Sequence, residues 1–154
     1  MDQRKSSSYK IADVLINIGR KECLEKAELL LNSEQNSKIL NLRSLDLETS
    51  EAEPLALVLY ENQNTDVESI SFSYNSSLKD EGAVALIKSS PHSIRELGFV
   101  NCGMGDIGGQ ALLNWMRDAP HLKMMCAELN HFSDKLKSEF KRFSMENRQI
   151  LVVV

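Results

Sequence analysis

The sequence has little of what marks several specialised classes of protein. Its three cysteines include no closely spaced pair, and this pattern favours free thiols in a reducing compartment over a disulfide framework. No apolar run approaches the roughly 20 residues that a membrane-spanning helix needs, and the first residues lack the apolar stretch of a secretory signal. We therefore expect a cytoplasmic protein with no membrane partner.

Charge of one sign does not dominate the chain either. There are 18 Lys and Arg against 22 Asp and Glu, for a net charge of -4, whereas a nucleic-acid-binding protein presents a basic field or stripe. We therefore expect no nucleic-acid partner. What the 154 residues do have is a hydrophobic content of 42%, which is enough to build the core of a single domain.

A period of 25 to 28 residues organises the last two thirds of the chain. The copies begin at residues 42, 67, 94, 122 and 150, and each has apolar residues at its first and fourth positions and, in the complete copies, at its sixth. The ninth position is Asn75, Cys102 and Asn130 in the second, third and fourth copies, and Ser50 in the first. Because backbone groups point inward where a strand turns away, we expect Asn and Cys to form a structural ladder there.

The second half of each copy predicts a helix. Residues 50–53 are typical of a capping box, residues 82–88 and 107–117 carry apolar residues at helical spacing, and Ser133 is a candidate N-cap for a last helix. A strand followed by a helix at a nearly constant step predicts an α/β fold with a parallel sheet.

Residues 9–41 precede the repeat and are predicted to form a helical N-terminal cap, because a repeat stack has to cover its apolar end. Apolar residues at helical spacing indicate one helix, or two helices with a break near Gly19. Residues 1–8 are expected to be mobile and residues 32–37 to form a polar loop. Residues 42–154 would then form the repeat domain.

The step of about 28 residues, the L-x-x-L-x-L start and the Asn/Cys position resemble the ribonuclease-inhibitor-like class of leucine-rich repeats over residues 42–154. The resemblance implies a short right-handed solenoid, shaped as a horseshoe arc, with parallel strands on the concave face, helices on the convex face and an N-terminal helical cap. Relatives of this class include inhibitors, regulators of small GTPases and actin-filament capping proteins. Fold alone does not identify a target, so the resemblance implies a non-enzymatic adaptor, inhibitor or regulatory protein with an unidentified protein partner.

We expect that partner to contact the concave face, at the second, fifth, seventh and eighth positions of each copy. Arg43, Tyr74 and Arg95 are the preferred anchors, because arginine and aromatic side chains dominate binding hot spots. A solvated sheet face without a partner is the alternative. The complete set of candidate residues is Arg43, Asp46, Glu48, Glu68, Ser71, Ser73, Tyr74, Arg95, Val100, Asn101, Lys123, Cys126 and Glu128.

A second hypothesis is a nucleotide-binding protein or enzyme. Gly103, Gly105 and Gly108 form a literal G-x-G-x-x-G between a predicted strand and a predicted helix, and Glu128 follows Gly108 by 20 residues, as in a dinucleotide-binding unit. The repeat accounts for the same turn without a ligand. Cys126 is a poor candidate nucleophile, because no histidine falls in a neighbouring strand column to act as its base.

His92 and His121 occupy similar places in successive copies, but two histidines without a third ligand make a poor metal site. We therefore expect no catalytic residue, no cofactor and no metal.

A third hypothesis concerns the last strand, which is apolar and has no charge to protect its edge. Such an edge favours pairing with a second copy of the chain or with a partner strand, and the protein would then be a self-assembling subunit. The predicted edge strand comprises Ile150, Leu151, Val152, Val153 and Val154.

Overall fold

The computed structural model describes residues 7–32 and 38–154, and in that part of the chain it has six helices and one five-stranded sheet. All strand pairs are parallel, the strands follow one another in chain order, and the sheet is not closed. This confirms the predicted α/β fold with a parallel sheet. The elements in chain order are α1 Ser7–Ile18, α2 Lys21–Asn32, β1 Ile39–Asn41, α3 Thr49–Glu61, β2 Ser69–Ser71, α4 Lys79–Ser89, β3 Glu96–Gly98, α5 Asp106–Arg117, β4 Met124–Cys126, α6 Asp134–Glu146 and β5 Leu151–Val153.

Two helices precede the sheet and cover its first strand–helix unit. The break between α1 and α2 falls at Gly19, which has a φ of 78°, a conformation that glycine adopts without steric cost. Ile11 and Leu15 of α1 are fully buried in the common core, and α1 packs against α3. Residues 1–6 of the segment expected to be mobile, and residues 33–37 of the expected polar loop, lie outside the described residues.

The sheet has one buried face and one open face. The central residues of the first four strands, Leu40, Ile70, Leu97 and Met125, are buried in the core that the helices share. They are directly paired across the sheet, and their side chains cover the helix side because neighbouring residues of a strand point to opposite faces. We call the other side of the sheet the open face; its residues precede and follow these central ones.

We call each strand together with the helix that follows it a coil. The ninth-position asparagines of the second and fourth copies form hydrogen bonds to the coil before their own. The Asn75 side chain accepts hydrogen bonds from the backbone N–H groups of Leu45 and Leu47, both at 3.1 Å. The Asn130 side chain accepts the equivalent bonds from Cys102 and Met104, at 3.0 and 3.1 Å. The inward-pointing backbone groups of each turn are thereby satisfied.

The same two asparagines also donate. Asn75 Nδ2 donates to the carbonyl of Leu42 at 3.0 Å and Asn130 Nδ2 to that of Phe99 at 2.8 Å. Between them, the Cys102 thiol lies 3.3 Å from the carbonyl of Phe72. Burial raises the pKa of Cys102 to about 12, so this thiol stays protonated and inert.

The first copy begins five residues earlier than the sequence pattern indicates, which is a correction to the start at residue 42. Leu40, not Leu45, pairs with Ile70. The L-x-x-L-x-L pattern at residues 42–47 fits because a spacing of three and then two occurs twice in the repeat, at positions one, four and six and again at positions six, nine and eleven. Leu45 therefore occupies the ninth position, and Ser50, predicted for that place, lies in α3.

The last strand is also displaced from its predicted register. Val152, not Val153, pairs with Met125, so the fifth copy begins one residue before Ile150. A run of five apolar residues has no alternation from which a register follows. In the structure Ile150 is buried, whereas Leu151 lies on the open face and is 57% exposed.

Two helix starts differ from the sequence expectation. The capping box of α3 uses Glu48 and Glu51 instead of residues 50–53: the Glu48 backbone N–H donates to Glu51 Oε1 at 2.9 Å. The helix predicted for residues 82–88 begins at Lys79. Ser133 caps α6 as predicted, since its hydroxyl accepts from the Leu136 backbone N–H at 3.2 Å. No helix within the described residues combines the length and apolarity needed to cross a bilayer.

Candidate functional site

The middle of the open face is a shallow depression with a floor of small side chains. Ser71, Gly98 and Cys126 follow the buried centres of β2, β3 and β4 and are paired in one row. A Cβ on Gly98 would lie 3.0 Å from Ser73 Oγ and 3.1 Å from Ser71 Oγ, so any other residue here would crowd these hydroxyls and raise the floor of the depression. The depression encloses about 290 Å³.

Tyr74 and Arg43 form one wall of this depression. The Arg43 guanidinium carbon lies 5.1 Å from the centroid of the Tyr74 ring, a geometry in which a cation and an aromatic face attract each other. Tyr74 has a φ of 62° and is 41% exposed. Its ring therefore stands where the chain turns away from the sheet, and the stacked pair is accessible to a partner.

The turn that carries Tyr74 recurs in every complete coil. Ser44, Tyr74, Asn101 and Leu129 all have positive φ, at 55, 62, 49 and 59°. They occupy the eighth position of their copies in the observed register. Arg43 thus belongs to the seventh position beside Ser73, which corrects its predicted place at the second position.

Asp46 and Glu48 do not lie on the open face, which corrects their inclusion in the candidate set. Both wrong assignments result from the displaced register of the first copy. Asp46 is in the turn after the strand, and Glu48 is the N-cap residue of α3. In the observed register Asn41 takes the fifth position in place of Asp46. Arg43 takes the seventh in place of Glu48, and Lys38 takes the second in place of Arg43. Asn41 Oδ1 accepts a hydrogen bond from the Arg43 backbone N–H at 3.1 Å.

A row of charged side chains borders the amino-terminal ends of the strands. Glu68 Oε1 lies 3.2 Å from Lys38 Nζ and 3.9 Å from Arg95 Nε. Lys123 continues the row on the next coil. These side chains are largely exposed, so each ion pair contributes little to stability, but the row gives this edge of the open face a net positive charge.

Two glutamates lie on either side of Cys126 along the strand direction. Glu96 precedes Gly98 on β3, and Glu128 follows Cys126 after β4; both line the depression. The predicted set of candidate residues includes Glu128 but not Glu96 or Met124, because it leaves out the third position of each copy. The period-two alternation of a strand was the signal, since it places the third position on the same side as the fifth.

Cys126 has the electrostatic surroundings of an unreactive thiol. Burial raises its pKa, and the negative charges of Glu128 and Glu96 raise it further. Nucleophilic cysteines have lowered pKa values, because the thiolate is the reactive form. Cys126 therefore lacks the lowered pKa that a nucleophilic cysteine needs.

We expect the Glu96→Gln/Glu128→Gln double variant to alkylate about threefold faster at Cys126 near pH 8, because removing two negative charges lowers the pKa of the thiol. The rate of iodoacetamide incorporation, measured by mass spectrometry on the folded protein, checks this. Glu61→Gln/Glu146→Gln, at exposed helix ends, is the control and should leave the rate unchanged. Equal rates in all three proteins would contradict the assigned surroundings of Cys126.

The glycine-rich turn at residues 103–108 is filled by a carboxylate of the chain itself. Asp80 Oδ1 accepts hydrogen bonds from the backbone N–H groups of Gly105 and Gly108, each at 2.8 Å. These are donors of the kind that bind phosphate at the start of a helix. Gly103 has a φ of 69°, and a Cβ there would clash with the Ser76 carbonyl oxygen. The glycines therefore serve the packing of adjacent coils, and the geometry gives no support to a nucleotide site.

Asp106 repeats the role of Asp80 one coil later. Its Oδ1 accepts a hydrogen bond from the Ser133 backbone N–H at 2.8 Å. Hydrogen bonding to the side chain and to the backbone N–H of Ser133 lowers the pKa of Asp106. The carboxylates at the starts of α4 and α5 thus hold the turn of the following coil.

His92 and His121 line different pockets of the surface. The His92 ring lies 5.9 Å from the Trp115 ring, centroid to centroid, and His121 is exposed near Arg95 at the amino-terminal edge of the sheet. Within residues 7–32 and 38–154, no group of three or more His, Cys, Asp or Glu side chains is placed to hold a metal ion.

The predicted C-terminal edge strand is present as β5. Among the described strands it pairs only with β4, and Val153 and Val154 are half-buried. Self-association through this edge stays a prediction.

The depression thus brings together seven of the thirteen candidate residues. Glu68, Arg95 and Lys123 lie in the charged row, and Asn101 lies at the turn beside Tyr74. The seven candidates that line the depression are Arg43, Ser71, Ser73, Tyr74, Val100, Cys126 and Glu128.

Comparison with protein-family models gave no match for this chain, and a search of curated proteins gave none either.

Proposed function

We propose that the chain is a non-enzymatic protein-interaction module built as a short leucine-rich-repeat solenoid, and that it binds a protein partner through the open face. The observation that carries the proposal is the depression beside the stacked Arg43 and Tyr74 side chains. Aromatic and arginine side chains dominate binding hot spots when a partner buries them.

The solenoid is supported by the even spacing of the paired strands. The central residues Leu40, Ile70, Leu97, Met125 and Val152 pair in sequence, at steps of 30, 27, 28 and 27 residues. Each coil contacts its sequence neighbours, and α3, α4, α5 and α6 pack in chain order. This nearest-neighbour arrangement is typical of repeat proteins, and parallel strand–helix–strand connections are right-handed in almost all proteins.

A regulatory protein of the cytoplasm fits the chemistry of the thiols. Cys23, Cys102 and Cys126 are all free, and the first two are buried where they pack as small apolar groups. A reducing compartment keeps such thiols unmodified.

We expect the Arg43→Ala/Tyr74→Ala variant to capture at least about tenfold less partner than the unmodified chain. Truncating hot-spot side chains lowers affinity by this factor or more. Immobilised protein, exposed to lysate and read by quantitative mass spectrometry, measures the loss. Tyr60→Ala/Arg142→Ala removes the same residue types from exposed helix positions and should retain the partner. A partner profile that is identical for both double variants would place binding elsewhere.

A further inference from the structure

The depression on the open face is acidic even though basic residues surround it. Within the described residues, Glu96 and Glu128 form no ion pair. Of the nearby cations, Arg43 stacks on Tyr74 and Arg95 shares Glu68 with a lysine. Both glutamates act on the Cys126 thiol, so their negative charges converge on the small-residue floor.

One oxygen of Glu128 has no partner among the described residues. Glu128 Oε2 is buried and accepts no hydrogen bond from residues 7–32 or 38–154. A buried carboxylate oxygen without a donor is costly, and such a group in a folded protein needs an explanation. If the Glu128 side chain turns toward the open face, a cationic donor of a bound partner satisfies this oxygen.

The floor beside these carboxylates suits a long, flexible cationic side chain. Gly98 has no side chain, and its neighbours in the row, Ser71 and Cys126, are small. The apolar stem of an arginine or lysine packs along such a surface while its charged end reaches a polar group. An anionic side chain would meet the fields of both glutamates and be repelled.

We propose that the open face binds a basic, extended protein segment, with an arginine or lysine side chain lying over Gly98 and its cationic group at Glu128, within the field of Glu96. This inference rests on the proposed function, because it specifies the partner of the same surface. Charge complementarity sets which partner is accepted. The positive row of Arg95 and Lys123 fixes the placement, since a basic residue is repelled at the amino-terminal edge.

The test uses three fluorescent peptides of equal length, a Gly/Ser chain carrying three arginines, three glutamines or three glutamates. Fluorescence anisotropy is measured with the full chain, in a low-salt buffer that contains a metal chelator. Of the three peptides, only the arginine peptide should bind. Glu96→Gln/Glu128→Gln should weaken that binding about tenfold or more. Glu61→Gln/Glu146→Gln changes the net charge equally at exposed helix ends and should leave the affinity within about twofold.

A third variant tests the floor independently of charge. Gly98 has no positive φ and faces the open side, so Gly98→Leu is expected to fold, as circular dichroism would verify, and to abolish peptide binding by filling the depression. If that variant unfolds, NMR of the unmodified chain replaces it as the test. The Gly98 amide signal should then shift when the arginine peptide is added, and an unchanged signal would contradict the inference.

The outcomes separate this inference from the proposed function. Equal weakening by both glutamine double variants would show a general effect of charge and overturn the inference. Binding of the glutamine or glutamate peptide that depends on Tyr74, with none of the arginine peptide, would overturn the inference and support the proposed function. If no peptide binds, the inference is wrong, and the capture experiment with Arg43→Ala/Tyr74→Ala alone decides the proposed function.

Discussion

Asn75→Ala is expected to lower the free energy of unfolding by about 4 kcal/mol. Asn75 is fully buried, and its side chain accepts from the N–H groups of Leu45 and Leu47 at 3.1 Å. Alanine would leave both donors buried without a partner, at roughly 1–3 kcal/mol each. The carbonyl of Leu42 would lose its donor as well. Urea denaturation measures the change, which should shift the midpoint and leave the m-value unchanged.

Two further asparagines calibrate this prediction. Asn130 makes the equivalent bonds but is half-buried, so water can replace part of the side chain and we expect a loss of about 2 kcal/mol for Asn130→Ala. Asn64 is exposed, and Asn64→Ala should stay within about 0.5 kcal/mol. A cost below about 1 kcal/mol for Asn75→Ala would show that the ninth position does not hold adjacent coils together.

The sequence predicts the inner coils well because their pattern has one solution. In the second to fourth copies the apolar first, fourth and sixth positions are followed by Asn or Cys at the ninth, and the observed pairing of Ile70, Leu97 and Met125 agrees with that pattern. Several residue types at fixed offsets define a register, whereas hydrophobicity alone does not.

The first coil shows why the same logic fails at the end of a stack. The ninth-position asparagine exists to bond the preceding coil, and the first coil has no preceding coil. Leu45 takes this place and is buried, with its carbonyl facing the Cys23 thiol at 3.7 Å. Without the asparagine, two registers fit the leucines equally well, and the choice between them depends on contacts with α2 that the repeat pattern does not contain.

The sequence predicts which face of the sheet holds the site, but not which side chains contact one another there. Strand alternation places Ser71 and Cys126 on the open face, whereas the stacking of Arg43 on Tyr74 joins two coils and depends on the corrected register. The carboxylate of Asp80 reaches the glycine-rich turn from 25 residues earlier in the chain. A sequence motif identifies the glycines, but it does not identify the Asp80 carboxylate that accepts hydrogen bonds from their backbone N–H groups.

Arg20→Ala is expected to lower the free energy of unfolding by about 3 kcal/mol at neutral pH. Arg20 lies between α1 and α2 and makes two parallel bonds to Glu51, at 2.7 and 2.9 Å. It also donates to the carbonyls of Leu45 and Asp46, at 3.1 and 2.9 Å. Breaking a buried pair of this kind costs roughly 3–5 kcal/mol, and partial exposure of the two side chains, 30 and 15%, places the expected value at the low end.

The loss should depend on pH. Burial would raise the pKa of Glu51, but the hydrogen bonds and charge of Arg20 and the N–H of Glu48 outweigh it and lower the pKa below 4.5. A lowered pKa contributes stability that is present above the unfolded value and is lost as the pH falls through the folded value. The difference between the unmodified chain and Arg20→Ala should therefore be constant from about pH 6 to 8 and shrink below about pH 4.

A surface pair provides the control, and a local measurement shows where the effect acts. Lys38 pairs with Glu68 at 3.2 Å, but the two side chains are 65 and 41% exposed, so Lys38→Ala should cost less than about 1 kcal/mol. Because Arg20 fastens the two-helix cap to the first coil, hydrogen exchange in Arg20→Ala should accelerate first at buried amides of α1, such as that of Leu15. Uniform acceleration across β2 to β4 instead would mean that the cap and the sheet unfold as one unit and that Arg20 stabilises the whole chain.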